Sequence, residues 1–166
     1  MCLYTQDTKP LRADHDITCY KIVNLHYDDA PNPEPFRSKF FNFRYGLGKT
    51  YKLNGRLGAC VSKRVTENGI LIFEVNKGFH SYKDYKHAIE EHRLSELVFS
   101  RFFSDKEYVH IMLECVIPEG SLYYKGEDND LCSDALRVNR WGHCVRGPEW
   151  SSEQPDVKPE SDKAIL

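Results

Sequence analysis

The run Tyr108–Ile117 (YVHIMLECVI) constrains the fold more than any other stretch of this sequence. It is the longest strand-like segment, and it stops at Pro118-Glu119-Gly120, where Pro presets φ and Gly supplies the positive φ of a tight turn. A chain that must bury such a strand needs a sheet. Ile17 to Leu25 (ITCYKIVNL) is a second β-rich run, apolar on both parities around Tyr20 to Val23, which places it inside that sheet. Phe40 to Leu47 alternates, with Phe41, Phe43, Tyr45 and Leu47 on one face, and Thr50 to Leu53 continues it up to the Asn54-Gly55 turn. Cys60 to Val65 and Gly69 to Val75 read as strands on either side of Asn68-Gly69, and Leu122–Tyr124 and Leu136–Val138 as short strands near the end. Asp28 to Pro35 holds three prolines and reads as a surface loop.

The middle of the chain changes period. Tyr85, Ala88 and Ile89 share one helical face, capped from Ser81 or Lys83-Asp84. Leu94, Leu97, Val98 and Phe102 share a second face, so two amphipathic helices are expected, over Tyr85 to His92 and Leu94 to Phe103. Strands, then helices, then strands give an α+β fold: a mainly antiparallel sheet with one or two helices inserted mid-chain. After about Gly147 the sequence is mostly Ser, Glu, Asp, Lys and Pro and cannot offset its ordering entropy. The expected division is one domain over 1–146 and a flexible tail over 147–166.

The 166 residues suit one such domain, and the ten Tyr and nine Phe supply large rings for its core. The net charge of −2, with acids and bases mixed, gives no electrostatic reason to expect nucleic acid or an anionic membrane as partner. Arg137, Arg140, Trp141, His143 and Arg146 form one short basic-aromatic stretch, a weak nucleic-acid signal in an acidic chain. The start, Met1 to Asp7, has neither the basic nor the apolar region of a signal peptide, and no apolar run approaches the roughly 18 residues that span a bilayer. A cytoplasmic, reducing setting is therefore expected, with the six scattered cysteines as free thiols, several of them buried. No cofactor or metal is read from the sequence: His87 and His92 are five apart, and with Glu90 and Glu91 they read as a solvated helix face.

Two places invite chemistry. Asn76 to Tyr82 follows a strand and precedes a helix, where backbone amides can face an anion. Gly78 allows close backbone approach there, and His80 can serve as acid, base or donor. The plainer account is a tight strand-to-helix turn. Cys2 is the other: removal of the initiator Met leaves an N-terminal thiol beside its own α-amine, the arrangement of N-terminal nucleophile enzymes. The plainer account is a small residue that permits trimming. Cys2 and His80 are thus the candidate catalytic residues, and Gly78, Ser81, Tyr82 and Tyr123 the candidate ligand-binding ones. Tyr123 and Tyr124 face opposite sides of a strand, so only one can join the core.

The MCL start, ITCYKIV, YGLGKTY, GFHSY, CVIPEGSLYYKG and Ser133-Asp134-Ala135-Leu136-Arg137-Val138, in that order, resemble a group of small uncharacterised proteins from bacteria and their phages. That resemblance spans roughly residues 1–140 and implies no activity. It suggests a binding or regulatory protein of phage or mobile-element type, with a protein or small molecule as partner. Gly78-Phe79-His80-Ser81 also resembles the strand, Gly-aromatic-His-Ser, helix sequence beside the nicotinamide cleft of ADP-ribosyltransferase-like folds, which implies an enzyme, or a degenerate one, around His80. The catalytic Glu motif of those folds has no counterpart near the C-terminal strands. Cys2 is similar to the start of abasic-site-crosslinking domains, but Leu3 and Tyr4 stand in place of their Gly-Arg.

Overall fold

The computed structural model describes residues 3–39, 43–66, 68–99, 108–127, 130–144 and 149–155. At its centre two long strands, β3 (Ile17–His26) and β10 (Tyr108–Ile117), pair antiparallel over their whole length, from Ile17↔Ile117 to His26↔Tyr108. Both are apolar on each face because each face is covered. Cys19, Val23 and Leu25 of β3 join Ile111, Leu113, Cys115 and Ile117 of β10 in the main core, while Ile22 and Met112 point to the helix. Burying such side chains is worth about 1.5–3 kcal/mol each, which makes this pair the chief source of cohesion.

The remaining strands extend from that pair. On the β10 side lies β13 (Ala135–His143), with a bulge at Asn139 where Glu114↔Arg140 gives way to Cys115↔Val138, and then β6 (Thr50–Lys52). On the β3 side lie β9 (Phe79–Tyr82), β12 (Asp130–Ser133), β11 (Leu122–Lys125) and β2 (Leu11–Arg12). Two short strands, β4 (Phe36–Ser38) and β5 (Arg44–Tyr45), branch from β3 and make ten strands in this sheet, every pairing antiparallel. A separate three-stranded sheet orders β1 (Leu3–Thr5), β8 (Leu71–Val75) and β7 (Cys60–Val65). It is fastened to the large sheet by a small core of Leu3, Leu57, Val75, Tyr124 and Cys132.

The single α-helix among the described residues, α1 (Tyr85–Phe99), runs continuously where two helices were expected. The physical reason lies at His92: at helical period it falls on the face of Tyr85, Ala88 and Ile89, so the polar run Glu90 to Arg93 does not break the pattern. Asp84 caps the helix, its carboxylate accepting from the amides of Lys86 (2.7 Å) and His87 (3.2 Å). The expected face of Leu94, Leu97, Val98 and Phe102 lies outside the described side chains. No described helix is long and apolar enough to cross a membrane. The fold is thus mostly antiparallel sheet with one helix.

Several local expectations change. The alternating run Phe40 to Leu47 is not one strand, since β4 and β5 pair with each other through Phe36↔Tyr45, and residues 40–42 lie outside the described set. The segment Phe79–Tyr82, expected as a turn, is a strand. Part of the region assigned to a tail is bound to the domain: Trp141 and Ser151 exchange backbone hydrogen bonds, and the Trp150 ring lies 6.0 Å from both Tyr20 and Tyr85. Residues 156–166 are not described. Four free, buried thiols, Cys19, Cys115, Cys132 and Cys144, agree with the reading of the cysteines, and Pro118 to Ser121 turns as expected, with Gly120 at φ +81°.

Candidate functional site

The edge of β3 that faces away from β10 is shared. β9 meets it at Tyr20↔Tyr82, and β4 meets it from Val23↔Ser38 to Leu25↔Phe36. Lys21 and Ile22 fall between, where the sheet forks. Because successive side chains of a strand face opposite ways, the fork is lined from both sides of the sheet. Lys21, Phe79 and Tyr45 contribute from the core face, and Ile22, Tyr82 and His92 from the helix face. The sheet also curls, so that the turn after β6 returns to the start of β9: a Cβ on Gly55 would stand 3.2 Å from Lys77 Nζ. Between these walls is a cavity of about 660 Å³, in the range of sites for small organic ligands.

Lys21 sits at the bottom of it. The residue shares the parity of Cys19, Val23 and Leu25, so its side chain enters an otherwise apolar core. Nζ donates to the carbonyl oxygen of His80 at 2.5 Å, a bond that stands where β9 has left the ladder of β3. It also lies 5.5 Å from the centre of the Tyr45 ring. Burial drives the Lys21 pKa below its ordinary value; the thiols of Cys115, Cys132 and Cys19 oppose the shift. Those thiols are themselves held protonated by burial, Cys19 pushed up to about 11 and Cys132 to about 12. The amine therefore has no anionic neighbour at neutral pH from that group.

The rest of the lining is aromatic and basic. Phe43, Tyr45 and Phe79 supply rings, with Phe43 to Phe79 at 5.8 Å and Phe43 to Tyr45 at 4.9 Å. Lys39, Lys52 and Lys77 join Lys21, against Glu91 as the one carboxylate residue lining the cavity among the described residues. Lys52, Asn54, Asn76 and Lys77 are exposed and form the mouth. Burial holds the Tyr45 phenol above its usual range, as it does that of Tyr82, where Asp130 and Glu91 add to the effect.

Three of the residues singled out in the sequence meet here. Gly78, His80 and Tyr82 line the cavity, whereas Ser81 does not: it is buried on the core face near the Cys19 thiol. Tyr123 packs against the main core and Tyr124 fills the small one, so neither lines the cavity. Cys2 lies outside the described residues. The anion site expected from helix amides near Gly78 is displaced, because Phe79–Tyr82 is a strand and Asp84 already caps the helix. Gly78 has a packing role instead. At φ +148°, a Cβ there would stand 2.5 Å from Cys132 Sγ and 2.8 Å from Leu57 Cδ1.

His80 is unsuited to carry a proton near neutrality. Burial, with the charge of Lys21 second, lowers its pKa to about 3. It serves as a neutral imidazole and as the carbonyl that holds Lys21. His92, expected on a solvated face, is buried at the cavity wall with its ring 4.6 Å from that of His110. Lys21 was not singled out in the sequence, though the signal was there: one lysine at a core parity of an apolar strand. No protein-family model, no curated protein and no solved structure matches this chain.

Proposed function

We propose that this chain is a small-molecule-binding protein, its ligand an anionic compound with an aromatic or apolar body, held in the fork between β4 and β9. One observation carries the reading: a ligand-sized cavity lined by the rings of Phe43, Tyr45 and Phe79 and by four lysines against one glutamate. Apolar burial supplies affinity in such a site, and the few charged groups select the sign and orientation of the ligand. The depressed His80 pKa favours binding over acid–base catalysis by that residue.

The test is a fluorescence titration with 1-anilinonaphthalene-8-sulfonate, an anionic aromatic probe, on the native full chain. One saturable site is expected, and reversing two rim charges (Lys52→Glu with Lys77→Glu) should weaken it at least ~10-fold, about 1.4 kcal/mol. Lys125→Glu, an exposed lysine on β11 away from the cavity, should leave it within about twofold. Equal affinity in both variants, or no saturable binding, overturns the proposal.

A further inference from the structure

We propose that the Lys21 amine captures a carbonyl compound covalently, as a reversible imine, at the floor of the fork cavity, so that the ligand class is an aldehyde or ketone that also bears an anionic group. This deepens the binding reading above and rests on it. Three features of the geometry lead there. Lys21 is among the residues that line a cavity large enough for a metabolite. Nζ donates to the His80 carbonyl oxygen at 2.5 Å, which positions the nitrogen, and among the described residues no carboxylate pairs with it to keep it protonated. Its flank is the Tyr45 ring, an apolar surface suited to the body of an aromatic carbonyl compound.

A lysine becomes a nucleophile when burial favours its neutral form, the activation used by Schiff-base lysines. Burial acts on Lys21 in that sense. An ordinary exposed lysine is neutral in only about one molecule in 2,500 at pH 7, so one amine with a depressed pKa stands out among the surface lysines. The neighbouring thiols do not compete, since burial keeps Cys19, Cys115 and Cys132 protonated. In the reaction the amine lone pair forms a bond to the carbonyl carbon. Both amine hydrogens leave with the carbonyl oxygen as water, and C=N replaces C=O. No electrons are gained or lost, and water reverses the step. The exposed cavity lysines, Lys52 and Lys77, can meet the anionic group.

The experiment treats the full chain at pH 7 with limiting 4-formylbenzoate, traps any imine with sodium cyanoborohydride, and reads intact mass followed by a peptide map. One adduct per chain at Lys21 is expected, formed ahead of any adduct at an exposed lysine. Lys21→Arg should lose that adduct in a chain that circular dichroism shows to be folded. Should Lys21→Arg fail to fold, protection of wild-type Lys21 from labelling by the naphthalenesulfonate probe replaces it as the second readout. Labelling spread over exposed lysines, or an unlabelled Lys21, overturns covalent capture, and continued probe binding then leaves the binding reading intact. A labelled Lys21 in a protein that binds no probe overturns the anionic-ligand reading instead.

Discussion

Along one edge β3 pairs with β10 at every position from Ile17 to His26, whereas along the other it meets β9 at Tyr20 and β4 at Val23 to Leu25, leaving Lys21 and Ile22 between them. The first edge satisfies its backbone groups by the ladder and buries Ile111, Leu113 and Ile117 without exposure. The second leaves a gap, fills one carbonyl's need with a lysine side chain, and opens a cavity. Stability and recognition thus occupy opposite sides of a single strand. A cavity beside an unbroken ladder costs the fold little, because the ladder does not depend on what fills the gap.

That contrast can be broken or sharpened by four measurements. The largest change should follow Ile117→Ala, at the end of the unbroken edge: a loss of about 4 kcal/mol in urea unfolding, with carbonyl capture at Lys21 unchanged in the folded protein. A loss under 1 kcal/mol would mean that the ladder is not the cohesive side. Next comes acid stability. The folded pKa of His80, about 3, is below its ordinary 6.5, so its contribution is complete above pH 6.5 and is lost as pH falls toward 3. With allowance for solvent screening the loss is roughly 3 kcal/mol. His80→Gln should flatten that part of the stability–pH curve, and an unchanged slope would contradict the burial argument.

Gly78→Ala should cost about 2 kcal/mol, from backbone strain at φ +148° and crowding against Cys132 and Leu57. Its thermal midpoint would show this directly, and a neutral result would remove the packing explanation for the glycine. The smallest effect has the opposite sign. Lys21→Met should stabilise the fold by about 1 kcal/mol near neutrality, because an ammonium no longer has to be desolvated while water in the cavity can reach the His80 carbonyl. As the folded Lys21 pKa is depressed, the penalty is greatest at low pH and disappears as pH rises toward 10.5, so the gain of the variant should shrink along the same axis. The His80 pKa, followed by NMR, should also rise in this variant as the Lys21 charge is removed. Destabilisation would make Lys21 a strut of the fork rather than a group held there at a cost.

Long elements were legible in the sequence because their pattern is local. Tyr108–Ile117 and Cys60–Val65 have the expected bounds, and α1 begins at the expected Tyr85. Of the short strands, Leu122–Lys125 and Thr50–Lys52 were legible beside their turn residues, and others were not. β1, β4, β9 and β12 hold three or four residues each, and only distant partners such as Tyr82↔Asp130 define them. In the C-terminal stretch, polar composition concealed Trp150, whose ring packs beside Tyr20 and Tyr85 and 5.6 Å from the Arg140 guanidinium. The site divides in the same way. His80, Gly78 and Tyr82 stood out as an unusual local string, but the fork needs β4 and β9 to leave one strand at two heights, and no local pattern encodes that.

The register Ile17↔Ile117 has a further consequence, for the chain as it is being made. At synthesis rates of about 5–20 residues per second, β3 emerges from the ribosome roughly 5–20 s before the partner that will cover its long edge. Throughout that interval the long edge of an apolar strand is presented to solvent or to a chaperone. Slowing elongation between the codons for β9 and β10 should therefore raise aggregation of the nascent chain, while slowing it after β13 should not.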